Sequence, residues 1–234
     1  MCGRFAMNKE TNQLVTDFVA EGGDFRDWRP SYNIAPTSTI PVLIQSAKGG
    51  NEVVRRLEPA RWSLVPSWSK SLKLKYPTFN ARSEGITEKA SWKGPLKSHR
   101  ALVPATGYFE WQTSEDGTKT PNFIHDPSGD DLMLAGLYSW WKDHSKDEDD
   151  PDAWTLTATI LTSSAVDELL HIHDRNPVML PESWWDRWLD PEVEGTQMLV
   201  DAAVQAALPV AATLEVYEAA PVRGNGPQLI ERLE

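Results

Sequence analysis

With 234 residues, 40% of them hydrophobic and 11 of them Trp, the chain is long enough to bury one substantial core and gives no reason to expect a second domain. A net charge of -11 at pH 7 excludes nonspecific affinity for nucleic acid over the whole surface, because phosphate binding needs clustered Lys and Arg. A single Cys excludes a disulfide framework and a multi-cysteine zinc site, and the lack of any apolar run approaching ~20 residues or of a secretory start points to a soluble, cytoplasmic protein without a membrane segment.

Along the chain, Leu14, Val15, Phe18 and Val19 recur at helical spacing, with Asn8 or Thr11 as a cap and Gly22-Gly23 as a stop. From Ile40 the texture turns to short strand-like runs: IPVLIQ, EVVRRLE, RALVPA, DLMLAGLYSW and WTLTATI, where Trp154, Leu156, Ala158 and Ile160 alternate with threonines. Between the last two runs, residues 143–152 (DHSKDEDDPD) form an acidic stretch expected to remain solvated. Helical patterning returns at Ala165–His171 after Ser163-Ser164, at Glu182–Leu189 behind Pro181, and at Thr196–Leu208. Trp184, Trp185 and Trp188 fall on one such helix as a core-facing stripe. The expectation is α+β: a single domain over residues 1–234, with a curved sheet or barrel-like core flanked by helices, read as a monomer.

Charge is unevenly spread. Arg61, Lys70, Lys73, Lys75, Arg82, Lys89, Lys93, Lys97 and Arg100 stand against only Glu84 and Glu88, a local net of +7 that leaves -18 for the remainder. This suggests a positive face on an acidic body, although a solvated lysine-rich loop fits the charges equally well.

Cys2 follows the initiator Met, which aminopeptidases normally remove before so small a residue. The mature terminus would then be a 1,2-aminothiol. Its amine can condense with an aldehyde to an imine, and its own thiol can close on the same carbon to give a thiazolidine, a ring closure favoured by its intramolecularity. At neutral pH roughly a tenth of an ordinary α-amine is neutral and a few per cent of an ordinary thiol is thiolate, so both nucleophiles would be available without extreme tuning. A lone Cys is often buried filler, but termini seldom fill cores. An opening MCG is also how class II glutamine amidotransferases begin, in which the Cys attacks an amide.

Further motifs separate the two. After MCGRF come YNIAPT (32–37), RWSLVPSW (61–68), FNARSE (79–84), RALVPATGYFEW (100–111), LAGLYSWW (134–141) and HIHDRNPVML (171–180). In this order and spacing the chain resembles the SOS response-associated peptidase (SRAP) domain family from Cys2 to about residue 228. The resemblance implies an abasic-site processing protein of the DNA damage response. Such a protein binds single-stranded DNA and forms a thiazolidine crosslink between its N-terminal Cys and the abasic aldehyde, with self-processing that removes Met1.

Carried over by motif, the resemblance makes Cys2 the nucleophile, Asn80 the group holding the reacting centre, and Glu110 with His173 the acid–base pair. Imine formation expels water, sugar opening needs a proton on the ring oxygen, and ring closure moves a proton between sulfur and nitrogen, so a carboxylate and an imidazole have work to share. Arg4, Arg82 and Arg175 neighbour three of these positions and would bind phosphates flanking the missing base. Pro36 and Trp68 fall at family positions near the DNA path, where apolar surface supports or interrupts base stacking. Trp68 and Trp62 are equally open to core roles, and Ser69 stands where many members carry a second aromatic residue, which implies a weaker wedge against paired DNA. Arg223 lies in a shortened closing segment without a defined role. His171 and His173 lack a third ligand at recognised spacing, so neither metal nor cofactor is expected. The competing readings are an N-terminal-nucleophile cysteine hydrolase, peptidase or amidotransferase-like, and a noncovalent DNA-binding module.

Overall fold

The computed structural model describes residues 2–18, 21–22, 28–47, 53–147 and 149–233. Met1, Val19, Gly23, Glu52 and Glu148, which the sequence reading used, lie outside the described residues. In chain order the elements are β1 (Arg4–Met7), α1 (Thr11–Asp17), β2 (Glu21–Gly22), β3 (Ser31–Ile34), β4 (Thr39–Ala47), β5 (Val53–Trp62), β6 (Asn80–Arg82), α2 (Ala90–Ser98), β7 (Arg100–Ala105), β8 (Gly107–Thr113), β9 (Lys119–His125), β10 (Leu132–Lys142), β11 (Trp154–Ser164), β12 (Arg175–Pro177), α3 (Trp185–Leu189), α4 (Gln197–Ala212) and β13 (Glu215–Glu218).

Strands β11, β10, β7, β4 and β5 pair in sequence antiparallel, and a parallel contact between Thr157–Ala158 of β11 and Arg61–Trp62 of β5 closes them into a five-stranded barrel. A second sheet, ordered β13-β9-β8-β1-β3, packs beside it. The fold is therefore α+β with a closed barrel core, few helices and a single domain. Closure explains why β11 is buried on both faces from Leu156 to Ser163, threonines included, where simple alternation would leave one face wet. Thr157 meets this constraint by hydrogen bonding: its hydroxyl donates to the Ser139 carbonyl at 3.0 Å and accepts the Val65 N–H at 2.9 Å.

The two sheets are joined through Trp62. Its ring is fully buried, meeting Phe5 of β1 edge-on at 5.0 Å and Phe79, just before β6, at 5.7 Å. The indole N–H donates to the Phe79 carbonyl at 2.9 Å, and the Trp62 backbone carbonyl accepts from Thr37 at 2.8 Å.

Several expectations change. The segment Ala165–His171 is a single 3-10 turn, Asp167–Leu169, not an α-helix, because Ser163 and Ser164 still belong to β11 and the chain must return within a few residues to pair β12. The amphipathic α1 starts behind Glu10, which stands at the cap position in place of Asn8 and makes no side-chain cap bond. At Glu182–Leu189 a 3-10 turn leads into the short α3, with Trp188 fully buried and Trp184 and Trp185 packed against the core. The last helix, α4, is capped by the Thr196 hydroxyl accepting from Leu199 and runs through Pro209 to Ala212. Pro209 is tolerated because the bond it forgoes belongs to the exposed Gln205. Within the basic stretch, α2 forms where no helix was expected.

Arg100 also leaves the surface. It is buried, and its five N–H donors reach backbone carbonyls: Nε to Trp188 at 2.6 Å, Nη1 to Leu96 and Lys97, Nη2 to Val193 and Asp190. It ties the end of α2 to α3, and burial holds its guanidinium below the usual arginine range. Arg61 is half-buried and likewise shifted by burial, so the exposed positive charge comes from Lys70, Lys73, Lys75, Arg82, Lys89, Lys93 and Lys97.

Replacing Trp62 by Phe should remove the Phe79 partner and open a void, lowering stability by about 2–4 kcal/mol in chemical denaturation while leaving the unfolding slope unchanged.

Candidate functional site

β1 pairs antiparallel with β8, Arg4 opposite Phe109, so the chain before Arg4 runs towards Glu110. Cys2 is wholly enclosed, with its Sγ 3.7 Å from the Arg4 carbonyl. Asn80 opens β6, which is held in place by parallel pairing with Ile160 of β11 and by the Trp62–Phe79 contact. Its Nδ2 donates to the Cys2 carbonyl at 2.7 Å, a bond spanning 78 residues. Asn80 Oδ1 is buried and has no hydrogen-bond partner among the described residues.

Glu110 lies on β8 and is buried. His173 follows the 3-10 turn, where Gln112 of β8 donates to the His171 carbonyl at 3.0 Å and fixes the segment beside Glu110. His173 Nε2 stands 3.9 Å from Glu110 Oε1. Its Nδ1 accepts the Arg175 N–H at 3.0 Å when unprotonated, and faces the Asp174 carboxylate at 2.8 Å when it carries a proton. The imidazole thus has a partner on that side in either charge state.

Burial, and then the charge of Glu110, push the Cys2 thiol far above the usual thiol range. This corrects the expectation of an ordinary few per cent thiolate: the folded protein holds Cys2 protonated at neutral pH. It also corrects the view that a terminus seldom fills a core. Burial, and then the nearby Cys2 and Glu110, drive the enclosed Tyr108 hydroxyl upward.

In front of Asn80 opens a cleft of about 810 Å³, lined by Tyr76, Asn80, Arg82, Glu84, Trp92 and Arg175 among others. Arg82 is exposed. Arg175 is mostly covered and forms a two-pronged ion pair with Glu84, Nη1 and Nη2 at 2.8 and 2.9 Å, while Nη2 also donates to the Thr162 carbonyl. The hydrogen bonds from Arg175 hold the Glu84 carboxyl below the usual carboxylate range.

Arg4, Pro36 and Trp68 do not line this cleft. Arg4 Nη1 donates to Asn33 at 2.8 Å, and Asn33 in turn donates to the Gly224 carbonyl, so the segment after exposed Arg223 is docked on the 31–34 strand. Pro36 is half-buried beside Thr37, whose φ of 77° is strained for a β-branched residue and is held by its bond to Trp62. Of the two tryptophans left open, Trp62 is core and Trp68 is 68% exposed. Among the described residues, no group of three or more His, Cys, Asp or Glu is arranged to hold a metal ion, and no helix is long and apolar enough to cross a membrane.

Residues 1–222 match the family described as SOS response associated peptidase. The chain belongs to the SRAP family. It is 34% identical over 242 residues to the abasic site processing protein YoqW of Bacillus subtilis, covering 99% of both chains, and 31% identical to the abasic site processing protein HMCES of Gallus gallus, covering 88% of this chain and 67% of that one. A crystal structure of a Bacteroides thetaiotaomicron protein, 22% identical, superposes over the full length of both chains with a TM-score of 0.81 and shares the fold.

Within this SRAP chain three cleft residues were missed in the sequence. Tyr76, 69% exposed with Lys75 Nζ 5.3 Å from its ring centre, supplies an aromatic surface a few residues beyond Ser69. Glu84 was counted only as charge, and Trp92 sits on the unexpected α2. The FNARSE motif contained the signal for Glu84, two residues after Arg82.

Replacing Glu110 by Gln removes one of the two causes that raise the Cys2 thiol. Alkylation of Cys2 between about pH 7 and 9 should then be faster than in the wild type, by up to roughly tenfold for a one-unit shift, and its rise with pH should begin lower. Intact-mass kinetics with iodoacetamide would show this; an unchanged or slower rate would exclude Glu110 as a contributor.

Proposed function

We propose that this SRAP-family protein captures abasic sites in single-stranded DNA by covalent attachment at Cys2, shielding them during the DNA damage response. The observation that carries the reading is the hydrogen bond from Asn80 to the Cys2 carbonyl, because Asn80 also lines the cleft that holds Arg82 and Arg175; Cys2 itself is enclosed behind it, near Glu110, with His173 3.9 Å from that carboxylate. Relatives named abasic site processing proteins, matched over nearly their whole length in the case of YoqW, support the same substrate.

The chemistry requires a free Cys2 amine, hence loss of Met1, by an aminopeptidase or by self-processing. The amine adds to C1′ of the ring-opened deoxyribose, and a proton delivered by Glu110 or His173 lets the hydroxyl leave as water, giving an imine. The thiol then adds to the imine carbon as its proton passes to nitrogen, closing the thiazolidine with no further loss of atoms. A sulfur held protonated suits this order, in which the amine adds first and the thiol adds only once the imine has formed. Asn80 Oδ1 is suited to accept from a sugar hydroxyl. Arg82 and Arg175 bind the adjacent phosphates, with the DNA displacing Glu84, while Arg4, Pro36 and Trp68 contact the strand farther out. No metal or cofactor takes part, and the protein acts as a monomer in the cytoplasm. A thiol pushed upward is poorly suited to the competing cysteine-hydrolase reaction, in which thiolate attacks an amide.

Incubating protein that lacks Met1 with an abasic single strand should give a heat-stable adduct of the combined mass less one water, absent in Cys2→Ala and in protein retaining Met1. Glu110→Gln and His173→Ala should slow its formation by about 10²–10⁴-fold. An adduct that survives Cys2→Ala, or none at all from the processed protein, would overturn the reading, and turnover of peptides by the same sample would favour the hydrolase.

A further inference from the structure

Beyond β13 the chain turns back across the second sheet, whose two edge strands are β13 and β3. At the β13 edge, the Tyr217 hydroxyl donates to the Ile230 carbonyl, Arg232 pairs with Glu215 at 2.6 Å, and a backbone bridge joins Arg232 to Ala219. At the β3 edge, Asn225 Oδ1 accepts the Tyr32 N–H at 2.7 Å and the Ser31 hydroxyl at 3.2 Å, satisfying a backbone donor that an edge strand would otherwise leave open. Between the edges, Leu229 is buried in one cluster with Ala6, Phe109 and Phe123. The C-terminal segment is thus a strap, tied at both edges and anchored in the middle.

One further tie links the strap to Arg4. Asn33 Nδ2 donates to the Gly224 carbonyl at 2.7 Å, and Asn33 Oδ1 accepts from Arg4 Nη1 at 2.8 Å. A carboxamide can present either end to a neighbour, but a carbonyl only accepts and a guanidinium only donates, so both partners demand the same orientation. Without the Gly224 carbonyl, nothing on that side would stop the amide from turning its NH₂ towards Arg4. Gly224 has a φ of 73°, and a Cβ there would meet no atom within 4 Å, so glycine serves the backbone conformation and not the space. Arg4 stands opposite Phe109 and two residues before Ala6, which puts it on the face that the strap covers. Arg223, exposed, directly precedes Gly224. Two cations are therefore attached to the two ends of the Asn33 amide, Arg4 by its side chain and Arg223 through the chain at Gly224.

We propose that Arg4 and Arg223 form one phosphate station outside the reacting cleft, with Asn33 as the positioning residue that aims Arg4 and the C-terminal strap as the part that sets Asn33. Asn33 engages one of the five Arg4 N–H groups, and a two-pronged phosphate contact needs two. The proposal rests on the DNA reading above and adds to it that a segment 191 residues beyond Asn33 belongs to strand binding. It also gives Arg223 a defined task.

The test uses single strands carrying a tetrahydrofuran abasic analogue, which has no aldehyde and binds only noncovalently. One phosphate at a time is replaced by a neutral methylphosphonate, and affinity is read by fluorescence anisotropy. Loss of a charge-assisted contact should weaken wild-type binding by about tenfold at the phosphate that the station holds. In Arg4→Ala and in Asn33→Ala that position should cease to matter, and the double variant should bind no more weakly than Arg4→Ala alone. Arg223→Ala should reduce the dependence at the same position, and so should Gly224→Ala, which leaves every side chain of the station in place. Any position whose dependence is lost in Arg82→Ala should keep it in all of these variants; thermal melts would establish that they fold. A wild-type map with no phosphate of this kind, a wild-type map in Asn33→Ala or Arg223→Ala, or a uniform loss at every phosphate in Asn33→Ala would overturn the station. A parallel strand with a true abasic aldehyde keeps the outcomes separate. If the wild type forms its Cys2 adduct there, the capture reading stands whatever the map shows; if it forms none, that reading fails on its own evidence.

Discussion

Trp62 is the contact on which the rest of the structure depends. Its ring lies between Phe5 and Phe79, its indole N–H is bound to the chain just before Asn80, and its carbonyl holds Thr37 in a left-handed conformation. One residue therefore fixes the strand that begins after Cys2 and the strand that begins at Asn80 through its side chain, and the turn that presents Pro36 through its backbone. Aromatic contacts of this type contribute about 0.5–1.5 kcal/mol beyond area burial, and a buried hydrogen bond leaves little freedom to slip. The site inherits its geometry from the core.

Placing a nucleophile in that core has an electrostatic consequence. A thiol among apolar neighbours and beside a carboxylate resists ionisation, which makes Cys2 quiet towards oxidants and alkylating agents until a partner arrives that does not need a thiolate. The arginines are similarly restrained: Arg175 is already paired with Glu84, so a lone small anion gains little there, whereas a polyanion with several contacts can compete for the guanidinium.

The fold was partly legible in the sequence. Alternation in WTLTATI marked β11, and the α+β class with a barrel-like core followed from the density of short strands. Closure was not legible, because the parallel contact of Trp62 with Ala158 joins residues 96 apart and leaves no local pattern. Helix α2 was hidden by Pro95 and its lysines, and it has only Leu96 buried. Arg100 looked like surface charge since nothing local reveals five waiting carbonyls. Nor could periodicity divide Trp62 from Trp68, one enclosed and one open, because both sit in irregular segments or at a strand end where burial is decided by remote chain. The site motifs were legible as motifs, and through the family resemblance they implied that Cys2, Asn80, Glu110 and His173 form one group; the enclosure of Cys2 was not legible.

That enclosure also orders events in time. Residue 2 has its hydrogen-bond partner at residue 80, and β1 is flanked by β8, which ends at Thr113. At roughly 5–20 residues per second, a ribosome needs on the order of 10 s to supply the chain between them. During that interval β1 lacks β8 and Cys2 lacks Asn80, so the cysteine has none of the surroundings that mute its thiol. Reactivity control is therefore acquired late in synthesis, when the hundred-residue loop closes, and a chain interrupted before β8 would carry an ordinary exposed cysteine instead of a guarded one.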